Sequence, residues 1–155
     1  MAVKPIPPGY HTVTPYLYVK GAANAIDFYK RALGAEELMR FPAPDGRIAH
    51  AEIRIGDATI MLADEHPEMG VLGPQSRGGT TVGFAIYVED VDQRVAKAVA
   101  AGAKIDRPVK NQFYGDRSGT LTDPFGHQWT IATHVEDVPL AELDRRMKES
   151  CKQAG

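Results

Sequence analysis

The sequence contains the same pattern twice. Residues 16–36, YLYVKGAANAIDFYKRALGAE, resemble residues 84–104, FAIYVEDVDQRVAKAVAAGAK. Each copy opens with a short run rich in aromatic and β-branched residues, continues with apolar residues at helical spacing, and then reaches Gly-Ala. Because a repeat of this kind marks a repeated supersecondary unit, we predict that the fold contains two copies of one strand-and-helix unit.

The segments that follow the two copies also match. Residues 45–62, DGRIAHAEIRIGDATIML, align with residues 115–131, GDRSGTLTDPFGHQWTI, and this alignment places Gly56 opposite Gly126. Each half then reads as one strand, one helix and three further strands. We therefore predict an α+β fold of two tandem βαβββ modules, whose curved half-barrel sheet surrounds a concave cavity.

The predicted modules have a connection and a C-terminal extension. We expect a single domain over residues 1–155, with module one at about 12–64 and module two at about 80–135. The joint at residues 65–79 is rich in glycine and proline and has no periodicity, which predicts a linker or a mobile loop. Apolar residues at helical spacing predict a C-terminal helix at about 139–153.

Composition limits the partners that such a chain can have. The formal net charge is -2 with both signs scattered, so there is no electrostatic footprint for nucleic acid or for a membrane surface. No segment approaches the ~20 apolar residues of a membrane span, and prolines interrupt the N-terminal segment where a signal peptide is apolar. The single cysteine, Cys151, fits a reducing compartment. We expect a cytoplasmic protein.

Several of these stretches resemble the vicinal oxygen chelate superfamily, which includes glyoxalase I, bleomycin-resistance proteins and extradiol dioxygenases. The resemblance rests on AIDFYKRALGAE at 25–36 and on GDRSGTLTDPFGHQWTIATH at 115–134. HAEIRIGDATIMLADE at 50–65 and QFYGDRSGTLTDPFGHQWTIATHVEDV at 112–138 are similar to its small PhnB-like members. The resemblance implies helices on the convex side, a ligand enclosed by the concave faces of paired modules, and a homodimer.

The resemblance also implies where a metal would bind. Metal-dependent members place their ligands on the first and last strand of each module. Counting along this sequence puts those positions at Thr14, Ile60, Gly83 and Thr130. Zinc and similar ions prefer imidazole and carboxylate ligands, which these residues do not offer. We therefore predict no metal at the usual site and no cofactor.

Strand alternation indicates which side chains face the predicted cavity. If Ala51 and Ile53 meet the helix, then His50, Glu52 and Arg54 face the concave side. The strongest feature is the imidazole and carboxylate of His50 and Glu52, two positions apart on one strand face. This pair could orient a general base, supply two metal ligands, or only form an ion-paired group with Arg54.

The remaining candidates for the cavity are mostly aromatic. Alternation places Tyr16, Tyr18 and Tyr87 on the concave side of the two first strands, and Thr130 on the last strand. Tyr114 and Arg117 lie where a strand begins beside the cavity mouth. Arg117 could clamp an anionic group of a ligand or pair with its neighbour Asp116.

The segment DPFGHQWTIATH, residues 123–134, carries an aspartate and two histidines that we do not expect to be functional. Asp123, Pro124 and Gly126 match a type I turn, so Asp123 is expected to cap that turn. His127 is expected to point into solvent. His134 lies at a strand end, where hydrogen bonding is the expected role.

The sequence therefore predicts a PhnB-like protein that binds a small molecule without the usual metal, by sequestration, and leaves open whether it is an enzyme. The alternative is a metal-dependent lyase or dioxygenase whose ligands have moved to His50 and Glu52. The predicted ligand-binding residues are His50, Glu52, Tyr16, Tyr18, Tyr87, Tyr114, Arg117 and Thr130.

Overall fold

The structure, a computed structural model, describes residues 2–153 and consists of two βαβββ modules followed by a helix. Module one comprises β1 (Tyr16–Val19), α1 (Ala22–Leu33), β2 (Glu36–Pro42), β3 (Ile48–Ile55) and β4 (Ala58–Asp64). Between the modules lie a 3-10 turn (Pro67–Met69) and the short helix α2 (Pro74–Arg77). Module two comprises β5 (Gly83–Tyr87), α3 (Val91–Ala101), β6 (Lys104–Asn111), β7 (Asp116–Thr122) and β8 (Gln128–His134), and α4 (Leu140–Gln153) follows it. The predicted α+β fold with a C-terminal helix is confirmed.

Each module forms its own open sheet. The strand orders are β1-β4-β3-β2 and β5-β8-β7-β6, so both modules have the same topology. The first strand pairs in parallel with the last strand of its module, and the other pairings are antiparallel. Helices α1 and α3 pack against each other. The helices therefore cover one side of each sheet and leave the other side open.

Alternation along the strands separates the core from the open faces. In β1, Leu17 and Val19 are buried whereas Tyr16 and Tyr18 are partly exposed. In β8, Trp129 and Ile131 belong to the hydrophobic core. Trp129 packs against module one, because the centroid of its ring lies 5.5 Å from the ring centroid of Tyr29 on α1. The core is thus shared by both modules.

A single buried carboxylate, that of Asp123, ties the two modules together. Its Oδ1 accepts hydrogen bonds from the backbone N–H of Phe125 (2.8 Å) and of His127 (3.0 Å), which confirms the predicted turn cap. Its Oδ2 accepts from the Tyr29 hydroxyl at 2.6 Å and from the indole N–H of Trp129 at 2.9 Å. Burial, followed by the nearby carboxylate, raises the pKa of Tyr29 well above its usual value.

The joint between the modules is folded, because this linker contains the 3-10 turn and helix α2 in place of a loop without regular structure. The carboxylate of Glu65 accepts from the backbone N–H of Gly73 at 2.6 Å, and the Gln75 amide donates to the carbonyl of Pro124 at 2.9 Å. Gly73 is required here because a Cβ atom would lie 2.8 Å from the carbonyl oxygen of Tyr18. The joint is therefore packed onto β1 and onto the turn of module two.

None of the described helices is both long and apolar enough to cross a membrane.

Replacement of Tyr29 tests whether the link through Asp123 holds the modules together. We expect Tyr29→Phe to lower the free energy of unfolding by about 1.5–3 kcal/mol, because a buried carboxylate loses a charge-assisted donor while the ring remains. Tyr87→Phe is a matched control, since it removes a tyrosine–aspartate bond from an exposed ring and is expected to have a smaller effect. Equal effects in urea denaturation would contradict this role for Asp123.

Candidate functional site

The open face of module one carries a continuous chain of hydrogen-bonded side chains. His50 and Glu52 project from the same face of β3, as predicted, and the Nε2 of His50 lies 3.1 Å from Oε1 of Glu52. The other ring nitrogen, Nδ1, is 2.8 Å from the Tyr16 hydroxyl. The Tyr10 hydroxyl donates to the second carboxylate oxygen of Glu52. We name these four residues, Tyr16, His50, Glu52 and Tyr10, the tyrosine–histidine–glutamate chain.

Arg54 does not take part in this chain, so the alternative in which it forms an ion-paired group with His50 and Glu52 is wrong. Its guanidinium instead lies 2.5 Å from the carboxylate of Glu36 on the neighbouring strand β2. The partner that sequence reasoning missed is Tyr10, which comes from the N-terminal segment. That segment has no periodicity, so no pattern in the sequence indicated that it crosses the sheet of module one.

The protonation states along this chain follow from its contacts. Burial disfavours the charged form of Glu52, but the hydrogen bonds from Tyr10 and His50 outweigh it and leave the pKa of Glu52 below its usual value. The bond to Glu52 in turn raises the pKa of Tyr10 to about 12. Burial, then Tyr18 and Glu52, raises the pKa of Tyr16.

An ionised Glu52 fixes the direction of the whole chain. A carboxylate accepts only, so Nε2 of His50 donates to Glu52, and in a neutral imidazole Nδ1 then accepts the hydrogen bond of the Tyr16 hydroxyl. This arrangement holds the Tyr16 ring in one orientation. It also gives the phenol a base, His50, to which a proton could pass when a ligand approaches.

Tyr16 is also part of a cleft between the two modules. The cleft has a volume of about 710 Å³, and the stacked rings of Tyr16 and Tyr18, with centroids 5.0 Å apart, form part of its wall. Phe84 on β5 lines it from module two. The rest of the lining is mainly apolar or small and comes from the segment before β1, from the joint, and from the residues between the joint and β5. These residues include Val13, Pro15, Leu72, Pro74, Thr80, Thr81 and Val82.

His127 is also part of the lining of this cleft, so the expectation that it points into solvent is wrong. It is 8% exposed, and its Nε2 lies 3.1 Å from the carbonyl oxygen of Tyr18. Within residues 2–153, its buried Nδ1 has no hydrogen-bond partner. The cause is the turn: Asp123 binds the backbone N–H of His127, which directs the imidazole back onto β1.

The predicted residues of module two form a separate group outside the cleft. The carboxylate of Asp116 accepts from the Tyr87 hydroxyl and is bound to Nδ1 of His134, both at 2.8 Å. Hydrogen bonds to Asp116 and then to Asp137 raise the pKa of His134. Tyr114 is partly exposed and packs edge-on against Phe113. None of these residues lines the cleft with Tyr16 and Tyr18.

Arg117 lies on the helix side of the sheet. Its guanidinium binds Asp92 on α3 through two bonds of 2.8 and 2.9 Å, and Asn111 through one of 3.1 Å. Of the two roles left open for Arg117, the pairing with Asp116 is wrong, because adjacent residues of a strand point to opposite faces. Thr130 lies on the open face, as predicted, and its hydroxyl is 3.1 Å from the hydroxyl of Thr120.

The structure corrects one of the four positions at which the family resemblance places metal ligands. In module one the last-strand position falls on Met61. Met61 pairs with Tyr16 on the first strand, just as Thr130 of module two pairs with Ala85. Ile60 instead lies in the core, so its assignment as that position was wrong. The error arose from a difference in turn length, because two residues join β3 to β4 whereas five residues join β7 to β8. Among residues 2–153, no three His, Cys, Asp or Glu side chains form a group suited to a metal ion.

Comparisons with known proteins agree with this architecture. The family model for the Glyoxalase/Bleomycin resistance protein/Dioxygenase superfamily matches residues 10–131. An uncharacterised protein of Mycobacterium bovis is 42% identical over 138 residues, which cover 87% of this chain and 91% of that protein.

Solved structures show the same similarity. The crystal structure of TioX from Micromonospora has a TM-score of 0.63 and 28% identity, covering 81% of this chain and 99% of that one. The PhnB protein of Bacillus cereus has a TM-score of 0.61 at 18% identity and covers 79% of this chain and 99% of its own, which shows a common fold.

The role of Tyr10 is testable through the pH dependence of stability. Because the pKa of Glu52 is lowered in the folded state, its ionisation stabilises the fold above the usual pKa of 4.5, and this contribution is lost as the pH falls through the lowered value. We expect Tyr10→Phe to lower the free energy of unfolding by about 1 kcal/mol at pH 7, and by less at acidic pH, where Glu52 is protonated in the folded state. Tyr114→Phe, measured by urea denaturation at the same pH values, is the control. A loss that does not change with pH would contradict the assignment.

Proposed function

Because the chain belongs to the glyoxalase/bleomycin resistance protein/dioxygenase superfamily, we propose that it binds a small molecule in the cleft between its two modules. The observation that carries the proposal is the combination of an apolar cleft with one oriented hydroxyl in its wall. Tyr16 contributes its ring to the cleft and has its hydroxyl bound by His50. Apolar walls with a few fixed polar groups are typical of small-molecule sites.

The size and lining of the cleft support a drug-sized ligand. A volume of about 710 Å³ lies within the ~300–1,000 Å³ of ordinary ligand pockets. The stacked pair Tyr16 and Tyr18 offers an aromatic wall against which a planar ring can stack. Sequestration needs only such binding, so the proposal requires neither a metal nor a cofactor.

The proposed ligand contacts are fewer than those predicted from the sequence. Tyr16 and Tyr18 contact the ligand, and His50 and Glu52 act through Tyr16 by holding its hydroxyl. Tyr87, Tyr114 and Thr130 stand on the open face of module two, outside the lining of the cleft. Arg117 is bound to Asp92 on the helix side. These four residues are therefore not part of the proposed site.

A thermal-shift screen of small aromatic and oxygenated compounds tests the proposal. A ligand of the folded state raises the melting temperature by mass action, so we expect stabilising compounds. Tyr18→Ala removes half of the stacked wall and is expected to weaken their binding about tenfold or more. Tyr114→Ala is the matched control, because it removes an equally exposed tyrosine outside the cleft. The proposal fails if no compound stabilises the protein, or if only Tyr114→Ala weakens binding.

The alternative function is a metal-dependent lyase or dioxygenase with His50 and Glu52 as metal ligands. Both ring nitrogens of His50 and both carboxylate oxygens of Glu52 already have partners, which disfavours this reading. We expect the purified protein to contain no stoichiometric divalent ion. Elemental analysis that finds one zinc, nickel or iron per chain, lost in His50→Ala, would favour the metalloenzyme instead.

We also propose that the chain forms a homodimer in the cytoplasm. Large apolar and aromatic side chains remain exposed on the open faces, among them Phe41 at 57% and Tyr87 at 66%. A second copy would cover such surface with a closed, two-fold symmetric interface. Sedimentation analysis is expected to give a dimer at micromolar concentration, and a monomer would count against this proposal. The free, exposed Cys151 fits a reducing compartment.

A further inference from the structure

The cleft contains one arginine and no carboxylate. Of the residues that line it, Arg77 at the end of α2 is the one with a permanent charge, and none is an aspartate or glutamate. The guanidinium donates one hydrogen bond, at 3.2 Å, to the carbonyl oxygen of Gly70. Within residues 2–153 it forms no salt bridge. Four of its five N–H groups are therefore free for another acceptor.

The two acidic side chains of the joint bind groups other than Arg77. Glu65 at the start of the joint accepts from the backbone N–H of Gly73 at 2.6 Å. Glu68 lies 2.7 Å from the guanidinium of Arg47. Both acidic side chains of the joint are thus committed to holding the joint itself, and the positive charge beside the cleft is left without compensation.

The position of Arg77 is set by ordered backbone. Helix α2 begins at Pro74, which is buried, and the neighbouring Gln75 binds the carbonyl of Pro124 in module two. Gly79 donates from its backbone N–H to the carbonyl oxygen of Pro74 at 2.8 Å and closes the turn behind the arginine. The side chain is exposed, but its base is fixed at the edge of an aromatic cleft.

We propose that the ligand is an aromatic molecule that carries one carboxylate or a similar planar anionic group. This inference rests on the proposed function. The ring stacks against Tyr16 and Tyr18, and the anionic group pairs with Arg77. A guanidinium presents a planar fork of donors that matches a carboxylate with two hydrogen bonds. The apolar walls limit the water around the pair, which strengthens their attraction relative to an exposed surface.

Matched probes separate this inference from the proposed function. The probes are 2-naphthoate and its neutral analogue 2-naphthamide, which share the same ring and nearly the same shape. Calorimetric titration at low salt is expected to show about tenfold tighter binding of the naphthoate. The preference is expected to shrink in 0.5 M salt, because the pair lies at the edge of the cleft.

Variants then assign the preference to Arg77. Arg77→Gln is expected to bind both probes with the affinity that the natural protein has for the amide. Arg77→Lys is expected to retain part of the preference, since it keeps the charge and loses the fork. Arg31→Gln is the matched control, because Arg31 is exposed on α1 and, in the described part of the chain, its guanidinium bonds only to a backbone carbonyl. We expect Arg31→Gln to prefer 2-naphthoate over 2-naphthamide by the same factor as the natural protein.

The outcomes are distinct. Equal affinity for the two probes in the natural protein overturns the inference and leaves small-molecule binding intact. A preference that survives in Arg77→Gln also overturns it. If neither probe binds at millimolar concentration, the inference fails together with the proposed aromatic cleft. The melting temperature of each variant, measured without probe, shows that the fold is retained.

Discussion

The buried carboxylate of Asp123 fixes the relation between the two modules, and the cleft depends on that relation. A carboxyl group at 4% exposure is tolerated only when its oxygens have hydrogen-bond partners. Here the bonds come from α1, from β8 and from the turn itself. The same interaction that joins Tyr29 and Trp129 also places His127 against β1. The hydrogen bonds of Asp123 therefore determine both the core packing of Tyr29 and Trp129 and the position of His127 in the cleft.

The buried carboxylates of the molecule fall into two groups by the donors that they accept. Those of Asp64, Glu65 and Asp123 accept backbone N–H groups, and so they fix loops and a helix start. The hydrogen bonds to Glu52 and Asp116 come from tyrosine and histidine side chains on the open faces. A buried carboxylate that accepts hydrogen bonds only from side chains does not fix the conformation of a loop or the start of a helix. We therefore assign Asp123 to the fold, and we connect Glu52 with the proposed cleft through His50 and Tyr16.

The fold could be predicted from the sequence because the repeat and strand alternation report directly on burial. Tyr16, Tyr18, His50 and Glu52 were assigned to the correct face for the same reason. The errors arose where local pattern carries no information about distant contacts. Ile60 was assigned to the wrong face because the difference in turn length was not visible in the sequence. A shift of one residue moves every side chain of a strand to the opposite face of the sheet. The contacts of Tyr10, and the bond between His127 and β1, join segments far apart in the chain and have no local signal.

The central claim is that the ligand lies between the modules, against Tyr16 and Tyr18, and not on the open face of module two. Mapping amide chemical shifts during titration with 2-naphthoate tests it most directly, because it reports the location of binding residue by residue. We predict that the largest changes occur at residues 13–18, at residues 72–84 and at His127. Changes concentrated instead around Tyr87, Tyr114 and Asp116 would contradict the account and place the site on module two.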